Sequence, residues 1–404
     1  MTPPSADTSD VIVVGGGAAG LSLAHRLLET GSATVTVIEP PDGPLRPAGR
    51  TWCYWHAGVD GLEEVVGASW DVVRVYGADG RPVAVEPAPF TYRMVRSTDF
   101  ERLVHGHLAR SKGGRVLRAT AESVHSVDGG AEVRCRLPEG GTRTLHARHV
   151  FDSRPLTAMP PARTQLLQHF RGWFVRTETE RFDPAVADLM DFRVPQPAHG
   201  LAFGYVLPLA PDRALVEYTE FSARALTTEA YETALGHYCR DILSLGAFTV
   251  DDTEQGVIPM TDARFPRRAG AAVFRIGTAG GSTRPATGYT FAASQRQSGA
   301  IAAALRDGHG RVPAPYGRRT LAMDAILLRA LDTGRINGPD FFTDLFRHVP
   351  AERLLRFLDG TTSIREEWGI GLRTPVRPML LTAVELPFLP RRSRPVPRRG
   401  ESNR

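Results

Sequence analysis

Apolar residues near the N-terminus change from a continuous run to a helical spacing. Val11 to Val14 form an unbroken apolar stretch, which is typical of a strand buried within a parallel sheet. The segment "AGLSLAHRLLE" then repeats apolar residues every three or four positions, as in a helix that packs on one face. A second apolar run, "ATVTVIE", follows and ends at Glu39. The pattern predicts a strand, a helix and a second strand over residues 10–39.

The pattern changes several times farther along the chain. Residues 92–111 place apolar side chains at helical spacing, and "ARHVFDSRP" predicts a strand that returns to the first sheet. "FGYVLPLAPDRALVEYTEF" contains two extended runs joined by a turn, and residues 311–385 have a mainly helical pattern. We therefore predict an α/β fold with a discontinuous first domain (8–155 and 266–310), an inserted β-sheet lobe (156–265), a helical C-terminal region (311–389) and a basic disordered tail (390–404).

The break between the first strand and its helix has the spacing G-x-G-x-x-G, at Gly15, Gly17 and Gly20. Gly15 suits a tight turn, Gly17 lets the backbone approach a pyrophosphate, and Gly20 lets helix and strand pack closely. The start of the helix offers free N–H groups to phosphate oxygens. Glu39, about 20 residues past the glycines, stands where an acid binds ribose hydroxyls. Together these features predict a dinucleotide-binding, Rossmann-like unit.

A second glycine-rich segment lies far downstream, between a strand-like run and an alanine-rich helix. Its glycines are Gly277, Gly280, Gly281 and Gly288. Two distant segments that meet at one ligand are expected for FAD, a long cofactor whose ring must be held as well as its pyrophosphate. We therefore predict FAD, in a fold of the hydroxylase and glutathione-reductase type, with Arg96 as a further candidate contact. Many flavoproteins have Asp after the first of these glycines, whereas this chain has Thr278.

Composition narrows the classes of protein and of binding site that remain possible. With 404 residues, 42% of them hydrophobic and 23% charged, the chain is an ordinary globular protein with room for two lobes. Its three cysteines are isolated and share no Cys/His spacing, so we predict no metal site, and the pattern suits a reducing cytoplasm. We expect neither a secretory signal nor a transmembrane segment. We also expect no nucleic-acid partner, because no recognition motif accompanies the arginines.

One carboxylate stands on an apolar strand face. In "ALVEYTEFS", side chains alternate in an extended chain, so Glu217 shares a face with Leu215 and Phe221. A buried carboxylate costs several kcal/mol when it stands alone. Glu217 is therefore paired, hydrated, protonated or used chemically.

The sequence as a whole resembles the lycopene cyclases, most closely the bacterial β-cyclases. The resemblance extends over roughly residues 10–370 and rests on segments that follow in the family's order: "RTWCYWH", "FDSRP", "QHFRGWFV", "MDFR", "YVLPL" with "ALVEYTEFS", "EQGVIPM" and "GGSTRPATGYTF". It implies the conversion of lycopene through γ-carotene to β-carotene, by protonation, ring closure through a carbocation and proton loss. It also implies reduced FAD, with NADPH or NADH as the electron source and no net redox change.

The resemblance implies that Glu217 is the catalytic acid or the carboxylate that stabilises the carbocation. Family members commonly have a second acid at the next position, where this chain has Tyr218, and Glu254 is a second candidate. Aromatic residues are candidates for the wall of an apolar tunnel, although core packing explains them as well. They are Trp52, Tyr54, Trp55, Trp173, Phe203 and Tyr205.

Lycopene is wholly apolar and resides in bilayers, so we predict peripheral association with the inner face of the cell membrane. Residues 377–399 combine an apolar stretch with arginines, and a tail without function is the alternative. Contact with other carotenoid enzymes is a further expectation. Two other functions remain open: an FAD-dependent monooxygenase or prenyl-chain reductase, and a flavin-binding subunit without catalysis.

Overall fold

A computed structural model of the protein describes residues 7–31, 33–46 and 48–393. The strands of the described chain are, in order, β1 (Thr8–Val14), β2 (Val35–Glu39), β3 (Thr51–His56), β4 (Val66–Trp70), β5 (Val72–Tyr76), β6 (Pro82–Val85), β7 (Thr91–Arg96), β8 (Gly114–Arg118), β9 (Thr120–Val127), β10 (Gly130–Arg136), β11 (Thr142–Asp152), β12 (Gln165–Thr177), β13 (Val186–Asp191), β14 (Leu201–Ala210), β15 (Arg213–Ser222), β16 (Phe248–Thr261) and β17 (Val273–Arg275).

The α-helices of the same residues are α1 (Ala18–Thr30), α2 (Ser97–Arg110), α3 (Thr228–His237), α4 (Phe291–Arg306), α5 (Arg318–Asp332), α6 (Gly338–His348), α7 (Ala351–Leu358), α8 (Ile364–Gly371) and α9 (Val376–Glu385). None of these helices has both the length and the apolar character needed to cross a bilayer.

The first sheet has the strand order β8-β2-β1-β11-β10-β9, with β17 beside β11. β1 runs parallel to both β2 and β11, and α1 makes the crossover from β1 to β2. The predicted unit of strand, helix and strand at residues 10–39 is confirmed. The strand predicted at "ARHVFDSRP" is also confirmed, since it forms the end of β11 beside β1.

The second sheet has the order β16-β12-β15-β14-β13-β5-β6. The predicted hairpin is confirmed as the antiparallel pair β14 and β15. β5 and β6 belong to this sheet, although we assigned residues 72–85 to the first domain. They join it because Val73 and Val75 are fully buried in the same apolar cluster as Leu207 and Leu215. The second lobe therefore recruits chain that precedes residue 156.

Both faces of the second sheet are covered. On β15, Leu215 and Phe221 pack into the apolar cluster shared with α5, α6 and α7, whereas Val216 and Tyr218 pack against α3 on the other face. The alternation predicted for this strand is confirmed. Glu217 consequently lies on the face that looks towards the C-terminal helices and the third sheet, which has the order β3-β7-β4.

A buried ion pair joins the second glycine-rich segment to the helical region. Arg284 and Asp324 have side chains that are only 2% and 3% exposed, and Arg284 Nη2 lies 3.1 Å from Asp324 Oδ1. Arg284 also donates a hydrogen bond to the carbonyl oxygen of Phe357 in α7. One guanidinium thus holds three elements together.

The beginning of the predicted tail is ordered against the second lobe. Arg392 exchanges two backbone hydrogen bonds with Ala162, and Arg391 Nη2 lies 3.3 Å from Asp262 Oδ2. These residues are therefore part of the fold, contrary to the predicted boundary at residue 390. Residues 394–404, the rest of that tail, lie outside the described residues.

Asp324→Ala should cost about 3–5 kcal/mol of unfolding free energy, because it leaves the Arg284 guanidinium buried without its carboxylate. Asp344→Ala is the matched control, since Asp344 forms an exposed pair with Arg347 one helical turn away. The control should cost about 0.5 kcal/mol or less. Urea denaturation of both variants measures the difference, and equal losses would contradict the assignment.

Candidate functional site

The glycine motif forms the turn from β1 into α1. Gly15 has a φ of +101°, and its N–H donates to the Ile38 carbonyl oxygen at 2.8 Å. A Cβ on Gly20 would overlap the Gly15 carbonyl oxygen, so Gly20 permits the close packing of helix and strand. A Cβ on Gly17 would meet nothing within 4 Å. Gly17 therefore borders open space at the first N–H groups of α1, as a pyrophosphate site requires.

The second glycine segment reaches the same helix. Gly277 has a φ of +62°, and a Cβ there would lie 2.7 Å from Cβ of Ala19 in α1. Gly280 and Gly281 make the following turn, where Gly280 passes the Arg275 carbonyl oxygen and Gly281 has a φ of +82°. The structure thus brings the two distant segments together at the start of α1.

Gly288 lies elsewhere, against the second sheet. It has a φ of +71°, and a Cβ at this position would overlap Oε1 of Gln168 on β12. That oxygen is buried and accepts no hydrogen bond from the described residues. Gly288 therefore positions the loop against the second lobe.

Glu39 lies beside the glycine turn with only 2% of its surface exposed. His105 Nε2 and Arg118 Nη1 lie 2.8 and 2.9 Å from its Oε1 atom, but no N–H of the described chain is directed at that oxygen. Sequence reasoning missed Gly16, whose Cβ would overlap Glu39 Oε2. Gly16 makes room for this buried carboxylate at the end of β2, beside the glycine turn, which is where an acid binds an adenosine ribose.

Glu39, Glu101 and His105 also place possible metal-ligating atoms within 4.8 Å of one another. Arg46 and Arg118 form ion pairs with both carboxylates of this group. The guanidinium groups of Arg46 and Arg118 therefore already balance the negative charge of Glu39 and Glu101.

Arg96, which we expected to contact the cofactor, is bound to carboxylates in this structure. Its Nη1 atom lies 3.2 Å from Glu254 Oε2, and its Nη2 atom lies 3.4 Å from Asp252 Oδ2. The guanidinium also stacks over Phe174 at 4.4 Å. Arg96 is the last residue of β7, and its side chain reaches across to β16 because the apolar ring of Phe174 supports it.

Glu217 and Glu254 face each other across the intervening strand β12. The same residue of β12, Gly172, lies opposite Glu217 on one side and opposite Glu254 on the other. A Cβ on Gly172 would lie 2.8 Å from Glu217 Cγ, so any other residue would enter the space between the two acids. Gly172 therefore allows two carboxyl groups from non-adjacent strands to meet, and sequence reasoning did not find it.

Burial raises the pKa of Glu217 well above its ordinary value, and the negative charge and hydrogen bonding of Glu254 raise it further. Glu217 is 8% exposed and Glu254 is 6% exposed. Glu254 also accepts hydrogen bonds from Thr51 Oγ1 at 2.7 Å and from Arg96. The arrangement therefore favours the protonated form of Glu217.

Aromatic rings lie on the same face of the sheet as Glu217. Tyr205 lies opposite it on β14, and the Tyr205 and Tyr92 hydroxyl oxygens are 2.7 Å apart. The Trp55 ring lies 4.2 Å from Tyr92 and 6.0 Å from Tyr289. Burial raises the pKa of the neighbouring Cys53 thiol to about 12, so this group stays neutral. The described side chains on this face of Glu217 are therefore apolar or neutral.

The aromatic residues named from the sequence divide among three places. Trp55, Phe203 and Tyr205 lie in or against the packed apolar cluster on the Glu217 face. Trp173 packs on the opposite face of the second sheet. Trp52 and Tyr54 belong to the core beneath α1, where the core-packing alternative holds.

Tyr218 does not take the place of a second acid. It lies on the opposite face of β15, where it hydrogen-bonds to Glu220, a residue 7% exposed. His169, fully buried nearby, contacts the Tyr231 hydroxyl at 2.6 Å, and burial lowers its pKa to about 4. The second carboxyl group at Glu217 comes from Glu254, 37 positions along the chain.

Known proteins resemble this chain in sequence. A family model described as "Lycopene cyclase protein" matches residues 10–384. An "Uncharacterized carotenoid cyclase" of Deinococcus radiodurans is 28% identical over 421 residues, covering 96% of this chain and 94% of that protein. A "Lycopene beta cyclase, chloroplastic" of an Oncidium hybrid cultivar is 27% identical, covering 74% of this chain and 64% of that protein.

Solved structures resemble it in fold. A flavoprotein/dehydrogenase from Cytophaga hutchinsonii aligns with a TM-score of 0.62 at 12% identity, covering 94% of this chain and 99% of that chain. A geranylgeranyl bacteriochlorophyll reductase-like protein from Thermoplasma acidophilum aligns with a TM-score of 0.59 at 16% identity, covering 95% and 100%. The predicted FAD-binding, Rossmann-like fold is confirmed.

The family match spans nearly the whole described chain, including β1 with its glycine turn and both strands that carry the facing carboxyl groups. The chain belongs to the lycopene cyclase family.

Proposed function

We propose that this protein is a lycopene β-cyclase, which converts lycopene through γ-carotene to β-carotene with no net redox change. The observation that carries the proposal is the buried pair of Glu217 and Glu254, enclosed by aromatic rings and held apart from water. An alkene is a very weak base, so its protonation requires a positioned acid in a site that excludes water. Membership of the family supports the substrate class.

Glu217 acts as the general acid. It gives its proton to the terminal double bond of lycopene, and the resulting tertiary cation is attacked by an internal double bond, which closes the ring. The carboxyl pair, now short of one proton, accepts a proton from the ring carbon next to the new cation. For each ring, one carbon–carbon single bond has formed at the expense of the terminal double bond, the internal double bond has re-formed on proton loss, and the protein regains its proton. The atoms and electrons of substrate and product therefore balance.

Glu254 and Arg96 support this role of Glu217. Because Glu254 is bound by Thr51 and Arg96, its carboxylate is held towards Glu217. A fixed negative charge next to Glu217 opposes ionisation of that residue and stabilises a nearby carbocation. Arg96 is thus a positioning residue in this proposal, instead of the cofactor contact we expected from the sequence.

The rings of Trp55, Tyr92 and Tyr205 line the side of the pair that faces the substrate. Their faces are electron-rich and stabilise a passing cation without reacting with it. Their bulk also keeps out water, which would capture the cation as an alcohol.

FAD is the proposed cofactor, bound in its reduced form with NADPH or NADH as the electron source. Gly15, Gly17 and Gly20 would hold its pyrophosphate at the start of α1, and Glu39 would bind its ribose. When bound, reduced FAD supplies an electron-rich ring that stabilises positive charge. The substrates lycopene and γ-carotene dissolve in bilayers, so we place the protein in the cytoplasm, on the inner face of the membrane. Contact with other carotenoid enzymes would fit this location.

The proposal predicts products of unchanged mass. Purified protein incubated without oxygen with FAD, NADPH and lycopene should give pigments with blue-shifted absorption and the mass of lycopene. Glu217→Gln should lower the rate by about 10²–10⁴-fold, as for loss of a general acid. Glu220→Gln is the matched control on the same strand, because that side chain lies on the opposite face. Chromatography with mass spectrometry measures both.

A gain of oxygen in a parallel aerobic run would instead indicate a monooxygenase, and a gain of two hydrogen atoms would indicate a reductase. An undiminished rate in Glu217→Gln would contradict the assigned acid even if lycopene is cyclised.

The rate should fall as pH rises through the pKa of Glu217, because only its protonated form donates. Glu254→Gln removes the neighbouring negative charge, so it should lower that pKa and move the alkaline limb of the pH–rate profile to lower pH. Asp252→Asn is the control, since it also removes a carboxylate from Arg96 but one that is 62% exposed. If the alkaline limb of the pH–rate profile stays at the same pH in Glu254→Gln, that result would argue against coupling of the two acids.

Gly17→Ala should lower FAD affinity by about tenfold or more while leaving the unfolding free energy within about 0.5 kcal/mol, because its methyl group enters open space at the phosphate site. Gly299→Ala in α4, where a Cβ also meets nothing within 4 Å, should keep full FAD content. Gly20→Ala should instead destabilise the fold. Visible absorbance after gel filtration reports bound flavin, and full flavin content in Gly17→Ala would refute the assigned site.

A further inference from the structure

Helices α8 and α9 and the short turn Leu386–Phe388 present large apolar side chains to solvent. The exposed set recurs every four residues, which keeps its members on one side of each helix. Trp368 is 70% exposed and Phe388 is 84% exposed. The set, called here the apolar row, consists of Ile364, Trp368, Leu372, Val376, Leu380, Leu381, Val384 and Phe388.

The apolar row is not needed to hold these helices on the protein. Ile370 and Leu386 point inward and are buried, and Thr382 is fully buried with its hydroxyl accepting a hydrogen bond from Arg335. Glu385 binds Arg329 and Arg335. The helices are thus anchored by their inner sides, and their outer sides remain apolar without a partner in the described chain.

Charges around the apolar row are unbalanced. Each carboxylate of residues 364–393 is already paired: Glu366 with Arg356, Glu367 with Arg319, and Glu385 with Arg329 and Arg335. Arg365, Arg373 and Arg377 are exposed, and each lacks a carboxylate within 4.0 Å in the part of the chain that the structure describes. The surface therefore combines free cations with exposed apolar side chains.

We propose that the apolar row and these three arginines form the surface by which the protein lies on an anionic lipid bilayer. Apolar side chains at this spacing enter the boundary between headgroups and acyl chains, while arginines bind lipid phosphates. Charge opposes a second copy of the chain as the occupant, because it would bring the same three cations to the contact. The occupant that satisfies both features is a membrane with negative headgroups.

The inner sides of α8 and α9 belong to the core that adjoins the carboxyl pair. Ile370 of α8 and Met379 of α9 lie in or against the same packed apolar cluster as Leu328, Tyr205 and Leu215. Delivery of a polyene from the bilayer to Glu217 would rest on the proposed function, whereas bilayer binding is argued from the surface itself.

The apolar row differs from the membrane-binding segment that we predicted from the sequence. The membrane contact was expected in residues 377–399, and the apolar row begins 13 positions earlier, at Ile364. It ends before the arginines of residues 394–404, which lie outside the described residues. Bilayer binding is therefore expected to need α8 and α9 more than the tail.

The test is co-flotation of the full chain with vesicles of phosphatidylcholine, with and without phosphatidylglycerol. A triple variant, Leu372→Ser, Leu380→Ser and Leu381→Ser, should bind anionic vesicles at least about tenfold more weakly. Three exposed apolar residues elsewhere, changed in the same way, form the matched control and should bind like the unchanged protein: Val59, Val127 and Leu209.

Two further variants distinguish vesicle binding by the surface of α8 and α9 from vesicle binding by the tail (residues 394–404). Replacing Arg365, Arg373 and Arg377 by Gln should remove the preference for anionic vesicles, by about fivefold for each arginine. Replacing Arg394, Arg398 and Arg399 by Gln should change binding little. Unchanged binding by the triple serine variant, or loss caused by the tail substitutions alone, would overturn the proposal.

Activity assays distinguish a failure of the proposed bilayer-binding surface from a failure of the proposed function. With lycopene in detergent micelles, the triple serine variant should cyclise as fast as the unchanged protein, and it should fail only with lycopene in vesicles. If the unchanged protein binds vesicles but never cyclises lycopene, the proposed function fails while the surface stands. Self-association that disappears in the triple serine variant, without vesicle binding by the unchanged protein, would identify a second copy as the occupant and refute the bilayer.

Discussion

The constraint on which this site depends is the burial of two acids against each other. Glu217 and Glu254 come from strands that are not neighbours, and their contact exists only because Gly172 on the strand between them has no side chain. Burying one charge is costly and burying two adjacent like charges is costlier, so the pair retains a proton. The fold supplies Arg96 and Thr51 to fix the remaining charge on Glu254.

The rest of the second lobe can be understood as support for that pair. The sheet is apolar on both faces, so water has little access from either side. The third sheet supplies Thr51 and Arg96 at one end of the β3–β7 pair and Trp55 and Tyr92 near the other end. Because this sheet also packs on the core beneath α1, the same short strands connect the carboxyl pair with the glycine turn.

Sequence patterns predicted the features that depend on local periodicity. The glycine turn, Glu39, the hairpin and the apolar face around Glu217 all follow from residues close together in the chain. The close approaches at Gly172 and Gly16 and the carboxylate partners of Arg96 were not predictable in this way. Each depends on which strands become neighbours, and a lone glycine or arginine carries no signal of what will face it.

The domain boundary predicted at residue 156 does not assign all strands of the second sheet to the second lobe, for a related reason. β5 and β6 look like any short strands, and only the sheet order reveals that they extend the second lobe. Their apolar residues enter its core because the chain passes beside β13 on its way between strands of the third sheet. Long-range pairing of this kind has no local sequence signature.

Helix α2 has a mechanical consequence for the enzyme. Arg96 immediately precedes its first turn, and Glu101 and His105, farther along, contact the group around Glu39. His105 lies nine positions after Arg96, which is about 13 Å along the helix. The spacing between the group around Glu39 and the guanidinium that holds Glu254 is therefore set in part by this one helix.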